Sequence, residues 1–181
     1  MKQTMKLYGI TIVSTIILAL PLIVLLQKDL IEEPVNLVNY SLALLAYTSW
    51  LFSIVLMSRW PFLIALVNKI EPGASLKMHR VLGPFSVILG LIHYIMSFSM
   101  HEEIVYTGLG GGIVILVALG TMWQLKPSLT RRWLHRGVIL GVILIWAHVH
   151  LITRISILTP FMMCFDAYTL IALSLYGWKK I

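Results

Sequence analysis

Four of the chain's six histidines fall in two spaced pairs, each inside one apolar stretch. His79 and His93 are fourteen residues apart, and His135 and His148 are thirteen apart. Neutral imidazole is a ligand for haem iron, and an imidazole within lipid-facing sequence needs a partner. Fourteen residues of helix rise about 21 Å and thirteen about 19.5 Å, within a hydrocarbon core of about 30 Å. Each pair therefore places one ring in the inner half of a bilayer and one in the outer half. Two such helices could hold two haems, one above the other, and give an electron a route across the membrane.

The elements that must position these rings are set by composition. The 181 residues are 59% hydrophobic and 12% charged, with a mean hydropathy of +0.92, which excludes an ordinary soluble domain. Six apolar spans are predicted, near 7–27, 38–58, 79–100, 107–125, 134–153 and 160–178. The expectation is one all-α membrane domain over 1–181. It would be a six-transmembrane-helix bundle with haems held between helices three and five. Lys2 and Lys6 precede an apolar run that resembles a signal peptide, but no small-x-small cleavage site follows, so the run is taken as the first span. The single cysteine, Cys164, excludes an intrachain disulfide, a CxxCH haem attachment and a four-cysteine iron–sulfur site. A redox metal must then rely on histidine.

The net charge of +7 reports topology rather than nucleic-acid binding. With a cytoplasmic N-terminus the inside segments hold Lys2, Lys6, Arg59, Lys69, Lys77, Arg80, Lys126, Arg131, Arg132, Arg136, Lys179 and Lys180. The outside segments hold only Lys28 and Arg154. Five acids, Asp29, Glu32, Glu33, Glu102 and Glu103, fall outside. This is a strong positive-inside pattern, with both termini cytoplasmic, and it suits a multi-pass protein of the cell membrane.

Helix geometry ranks the histidines. Fourteen residues fall about 40° short of four turns, so His79 and His93 share a face, together with Gly83, Ser86 and Gly90. Small residues there would leave room for a flat macrocycle. Span five is less regular: His135 and His148 come out about 140° apart on an ideal helix, His135 and His150 about 60°. Gly137, Gly141 and Leu144 share the face of His148, whereas Ile139, Ile143 and Trp146 share that of His150. The glycines favour His148, and His150 stays in reserve. A histidine in a membrane helix can instead simply hydrogen-bond a neighbour, and four structural histidines would make the chain a scaffold or a transporter.

Other residues carry weaker signals. Met78-His79-Arg80 and Leu134-His135-Arg136 echo one another at the inner ends of spans three and five. Arg80 and Arg136 suit haem propionates as well as lipid headgroups. Asp166 is the one acid inside a span and could relay protons, pair with Arg154 or reach the headgroups. His101 and Arg154 lie near the outer surface. Gly108-Leu109-Gly110-Gly111-Gly112 loosely evokes a dinucleotide loop but follows no strand; close helix packing or a flexible outer loop is expected instead. Tyr94 and Trp146 are aromatic candidates for a place between the haems.

Met78-His79-Arg80-Val81-Leu82-Gly83 through His93, and Arg132-Trp133-Leu134-His135-Arg136 through His148, resemble the ferric reductase-like transmembrane domain family. That family includes NADPH oxidases, ferric reductases and the bacterial MsrQ haem subunit. The resemblance covers roughly spans two to six. It implies two b-type haems, the cytoplasmic-side one on His79 and His135 and the outer one on His93 and His148. It also implies transmembrane electron transfer. The chain ends at Lys179-Lys180-Ile181 without FAD and NADPH domains, as MsrQ-type units do, whereas such units can lack the histidine found here at His79. The donor implied is then a separate flavoprotein or NAD(P)H reductase, or a quinol. The acceptor implied is extracytoplasmic: a surface flavoprotein, ferric iron or a methionine sulfoxide reductase partner. An MsrQ-like single-haem, quinol-linked subunit is the nearest alternative.

Overall fold

A computed structural model describes residues 2–29, 34–58, 60–69, 71–97, 102–124, 126 and 128–178, and all regular structure among them is helical. The order is α1 (Lys2–Asp29), α2 (Pro34–Met57), α3 (Pro61–Asn68), α4 (Ala74–Met96), α5 (Glu102–Gln124), α6 (Leu129–Arg136), α7 (Val138–Leu151), α8 (Thr153–Ser156) and α9 (Thr159–Trp178). Six stretches are long and apolar enough to cross a bilayer, the pattern of a multi-pass membrane protein: Leu7–Gln27, Leu37–Met57, Ala74–Met96, Ile104–Met122, Leu129–Leu151 and Thr159–Gly177. Four of them match the expected spans within three residues at both ends. Apolar side chains such as Val13, Ile17, Ile88 and Ile95 stand exposed around the bundle, as lipid contact requires.

The central element is α2. More than half of its spanning residues are buried, 56%, against at most 28% in any other span. Most of its polar side chains find partners within the bundle, although the buried Trp50 Nε1 has none among the described residues. Thr48 and Ser49 donate to the carbonyls of Leu44 and Leu45 one turn back, and Tyr47 bonds Thr169 of α9 at 2.9 Å. Such internal pairing is what a medium without water demands. Around α2 the core gathers Leu44, Trp50, Leu51 and Ile54 with Phe161 and Phe165 of α9. α4 packs along α2 and α5 along α7, whereas α4 and α7 scarcely touch. The helices that carry the four paired histidines are thus held apart by their neighbours.

Two expectations need correction. Span three begins at Ala74, not 79: Gly73 adopts φ +75°, a left-handed conformation glycine tolerates best, and launches α4 early. His79 therefore lies in the second turn. Span five begins at Leu129, where the Ser128 side chain accepts from Arg131 N at 3.1 Å, and it is two helices broken at Gly137. The Gly137 N–H donates to Leu134 O, a tightened turn of about 120° per residue instead of about 100°. Three such residues recover about 60°, so the ideal-helix wheel overstated the divergence of His135 and His148. The glycine run lies inside α5, in line with the helix-packing alternative given for it. The short α3 was not expected; its exposed Trp60 and Phe62 suit a membrane interface.

Gly141 has a different role from the one its face suggested. A side chain there would meet Gly111 O at 3.1 Å and Ile115 Cγ1 at 2.5 Å. The reciprocal position, Gly111, faces Gly141 O at 3.1 Å. The two glycines let α5 and α7 approach backbone to backbone, a small-residue contact typical of membrane helices, so Gly141 lines no haem slot. Gly141→Val should cost about 1–3 kcal/mol through overpacking, read as a lower unfolding midpoint in detergent. Gly112→Val is the control, because nothing lies within 4 Å of a side chain there.

Candidate paired-histidine site

The two histidine pairs are built from opposite sides of the gap between α4 and the α6–α7 unit. At one level His79 of α4 faces His135 of α6, with ring centroids 5.9 Å apart and planes at 86°. Two imidazoles sharing one metal ion through bonds of about 2.0–2.1 Å would sit slightly farther apart than this, so a small opening of the pair would be needed to admit one. At the other level His93 of α4 and His148 of α7 line one cavity of ≈ 1200 Å³, together with Gly90, Tyr94, Gly108 and Gly112. That exceeds the about 300–1,000 Å³ of an ordinary small-molecule site, so a macrocycle has room there.

Hydrogen bonds at Nδ1 decide which nitrogen each ring can offer. His79 Nδ1 lies 2.6 Å from Ser53 Oγ and 3.3 Å from Ser53 O. His93 Nδ1 lies 2.8 Å from Asn39 Oδ1 and 3.2 Å from Asn39 O. His148 Nδ1 lies 2.9 Å from Ile104 O. The Asn39 and Ile104 carbonyls only accept, so Nδ1 of His93 and of His148 carries the proton and Nε2 keeps its lone pair, with Ser97 Oγ 3.4 Å from the Nε2 of His93. At His79 the nearer partner is the Ser53 hydroxyl, which can donate or accept. A metal-ligating histidine is oriented in this way, through its other nitrogen. His135 differs. Its Nδ1 is buried without a hydrogen-bond partner, although the Ala118 carbonyl lies within electrostatic reach.

His150 is engaged at both nitrogens. Its Nδ1 lies 2.9 Å from Trp146 O and its Nε2 3.3 Å from Asp166 Oδ1. Asp166 also accepts from Trp146 Nε1 at 2.7 Å. The intramembrane acid therefore partners α7, through residues the sequence did not point to. Trp146 is committed to that contact and does not line the cavity, whereas Tyr94 does. Arg80 and Arg136 are exposed, and Arg136 stands over the Trp133 ring at 5.1 Å. The side chains of His101 and Arg154 lie outside the described residues.

Several participants were missed in the sequence. Ser53 and Asn39 are fourteen residues apart on α2, the same spacing as His79 and His93, and α2 runs antiparallel alongside α4. A matching polar spacing on the preceding helix was the available signal. Trp50, between them on α2, lines the cavity and lies beside Gly90. The Ile104 carbonyl could not be found from residue type.

Fold and site together define a bundle of helices fit to cross a membrane, with His93 and His148 lining one cavity and His79 and His135 in edge-on ring contact at another level. No protein-family model, curated protein or solved structure matches the chain. Among the described residues no three or more His, Cys, Asp or Glu side chains gather to hold a bare metal ion. Haem makes a smaller demand, since the protein supplies only axial ligands.

Proposed function

We propose that the protein is a cell-membrane b-type cytochrome that carries electrons across the bilayer through two bis-histidine haems. His79 with His135 hold the cytoplasmic-side haem, and His93 with His148 the outer one. The observation that carries this proposal is the Nδ1 pattern: Ser53, Asn39 and the Ile104 carbonyl each engage Nδ1 of one histidine, the way a metal-ligating imidazole is oriented through its other nitrogen. Bound there, haem iron supplies reversible one-electron chemistry. The chain's own residues do the rest. The imidazoles ligate, their partners fix the rings, and the apolar walls exclude water. Arg80 and Arg136 directly follow the inner histidines and are exposed, which suits contact with propionate carboxylates. Electrons enter from a flavin-bearing NAD(P)H reductase or a quinol and leave to an extracytoplasmic redox protein or ferric iron.

A reduced-minus-oxidised spectrum of the purified protein should show b-type bands, with two haems per chain by pyridine haemochrome. The His79 and His135 rings are nearly perpendicular, so the ferric haem between them should give a strongly anisotropic low-spin EPR signal. Protein that stays colourless after expression with ample haem would sink the proposal.

A further inference from the structure

We infer that Gly108 is a positioning residue for His148, forming a saddle on α5 that fixes where the imidazole sits; its effect on haem rests on the cytochrome proposal, its effect on the ring does not. A Cβ at Gly108 would lie 2.9 Å from His148 Cε1, 3.0 Å from Nδ1 and 3.5 Å from Nε2. Nearly the whole edge of the ring occupies the space a side chain would fill. The same ring is tied to the same turn of α5 by the Nδ1 bond to Ile104 O at 2.9 Å, with Thr107 Oγ1 at 3.5 Å.

The backbone has no freedom to make way for a methyl group. Three residues further along α5, Gly111 is locked against α7, its own would-be side chain 3.1 Å from Gly141 O and 2.8 Å from Ile145 Cδ1. The helices are clamped, so a methyl at Gly108 displaces the imidazole instead of the helix. The remaining glycines of the run have no such duty: Gly112 meets nothing within 4 Å, and Gly110 only Leu144 Cδ1 at 4.0 Å. The run thus divides into one residue that seats a ring, one that packs a helix and two that do neither.

The test compares Gly108→Ala with Gly110→Ala, which make the same change in helix propensity in the same helix, Gly110 being outside the cavity lining. In protein stripped of haem, histidine ¹⁵N resonances are recorded and His148 is assigned by its loss in His148→Ala. The His148 signal should shift in Gly108→Ala and hold still in Gly110→Ala. In haem-loaded membranes Gly108→Ala should lose the outer haem or shift its EPR signal and midpoint potential, leaving the other haem unchanged. An unmoved His148 resonance, equal shifts in both variants, or loss of both haems from Gly108→Ala overturns the inference. A wild type that binds no haem overturns the cytochrome proposal instead, and the resonance still decides the role of Gly108.

Discussion

His148→Ala is expected to halve the haem bound per chain, while His150→Ala leaves both haems in place. The two rings lie two residues apart near the same end of α7, so a general loss of polarity there would affect both variants alike. Their surroundings separate them. His148 projects toward α5, donates Nδ1–H to Ile104 O and faces the cavity shared with His93. His150 turns to α9, with Trp146 O on one nitrogen and Asp166 on the other. Losing one axial imidazole removes half the protein's hold on that iron. Asn39→Leu tests the same site more gently. It keeps the His93 ring and the Asn39 carbonyl at 3.2 Å but deletes the Oδ1 acceptor at 2.8 Å. The outer haem should therefore bind more weakly, by no more than the about 10–100-fold that full loss of an orienting partner costs. Pyridine haemochrome on each purified variant reads the outcome. Equal losses in His148→Ala and His150→Ala would refute the assignment.

Much of this geometry was legible in the chain because membrane helices obey few rules. Length and hydropathy place the spans, and the fourteen-residue repeat puts His79 and His93 on one face of α4, as found. The wheel does not carry through span five, because Gly137 breaks the helix between His135 and His148 and an ideal step of about 100° no longer applies. The glycine argument chose His148 over His150 on a partly mistaken ground. Gly141 opens no slot for a cofactor; it lets α5 and α7 touch. The room lies elsewhere, between α4 and α7, and arises because each packs on a different neighbour. Contacts made by backbone carbonyls, as at Ile104, leave no mark in residue type. Side-chain partners do leave one: Asn39 and Ser53 reproduce on α2 the spacing of the histidines they orient.

Replacing His79 or His135 with alanine is expected to stop electrons at the cytoplasmic side while the outer haem stays bound. The two levels are fourteen residues of α4 apart, about 21 Å along the axis, and share no orienting partner: Ser53 serves one, Asn39 and Ile104 the other. Changes at sites so separated add independently. In proteoliposomes with reductant on the cytoplasmic side only, the wild type should reduce both haems. His135→Ala should retain the outer haem, oxidised, until a permeant reductant is added. Ser53→Ala should fall between these limits. The Ser53 carbonyl still reaches His79 Nδ1 at 3.3 Å, so the tautomer survives, but the shorter contact to Oγ at 2.6 Å is gone. His135 has weaker support, its buried Nδ1 making no hydrogen bond and having the Ala118 carbonyl within electrostatic reach. The inner ligand pair is therefore held firmly from α4 and loosely from α6. A haem that stays equally well bound in Ser53→Ala and wild type would show that the Ser53 hydroxyl does not hold the ring.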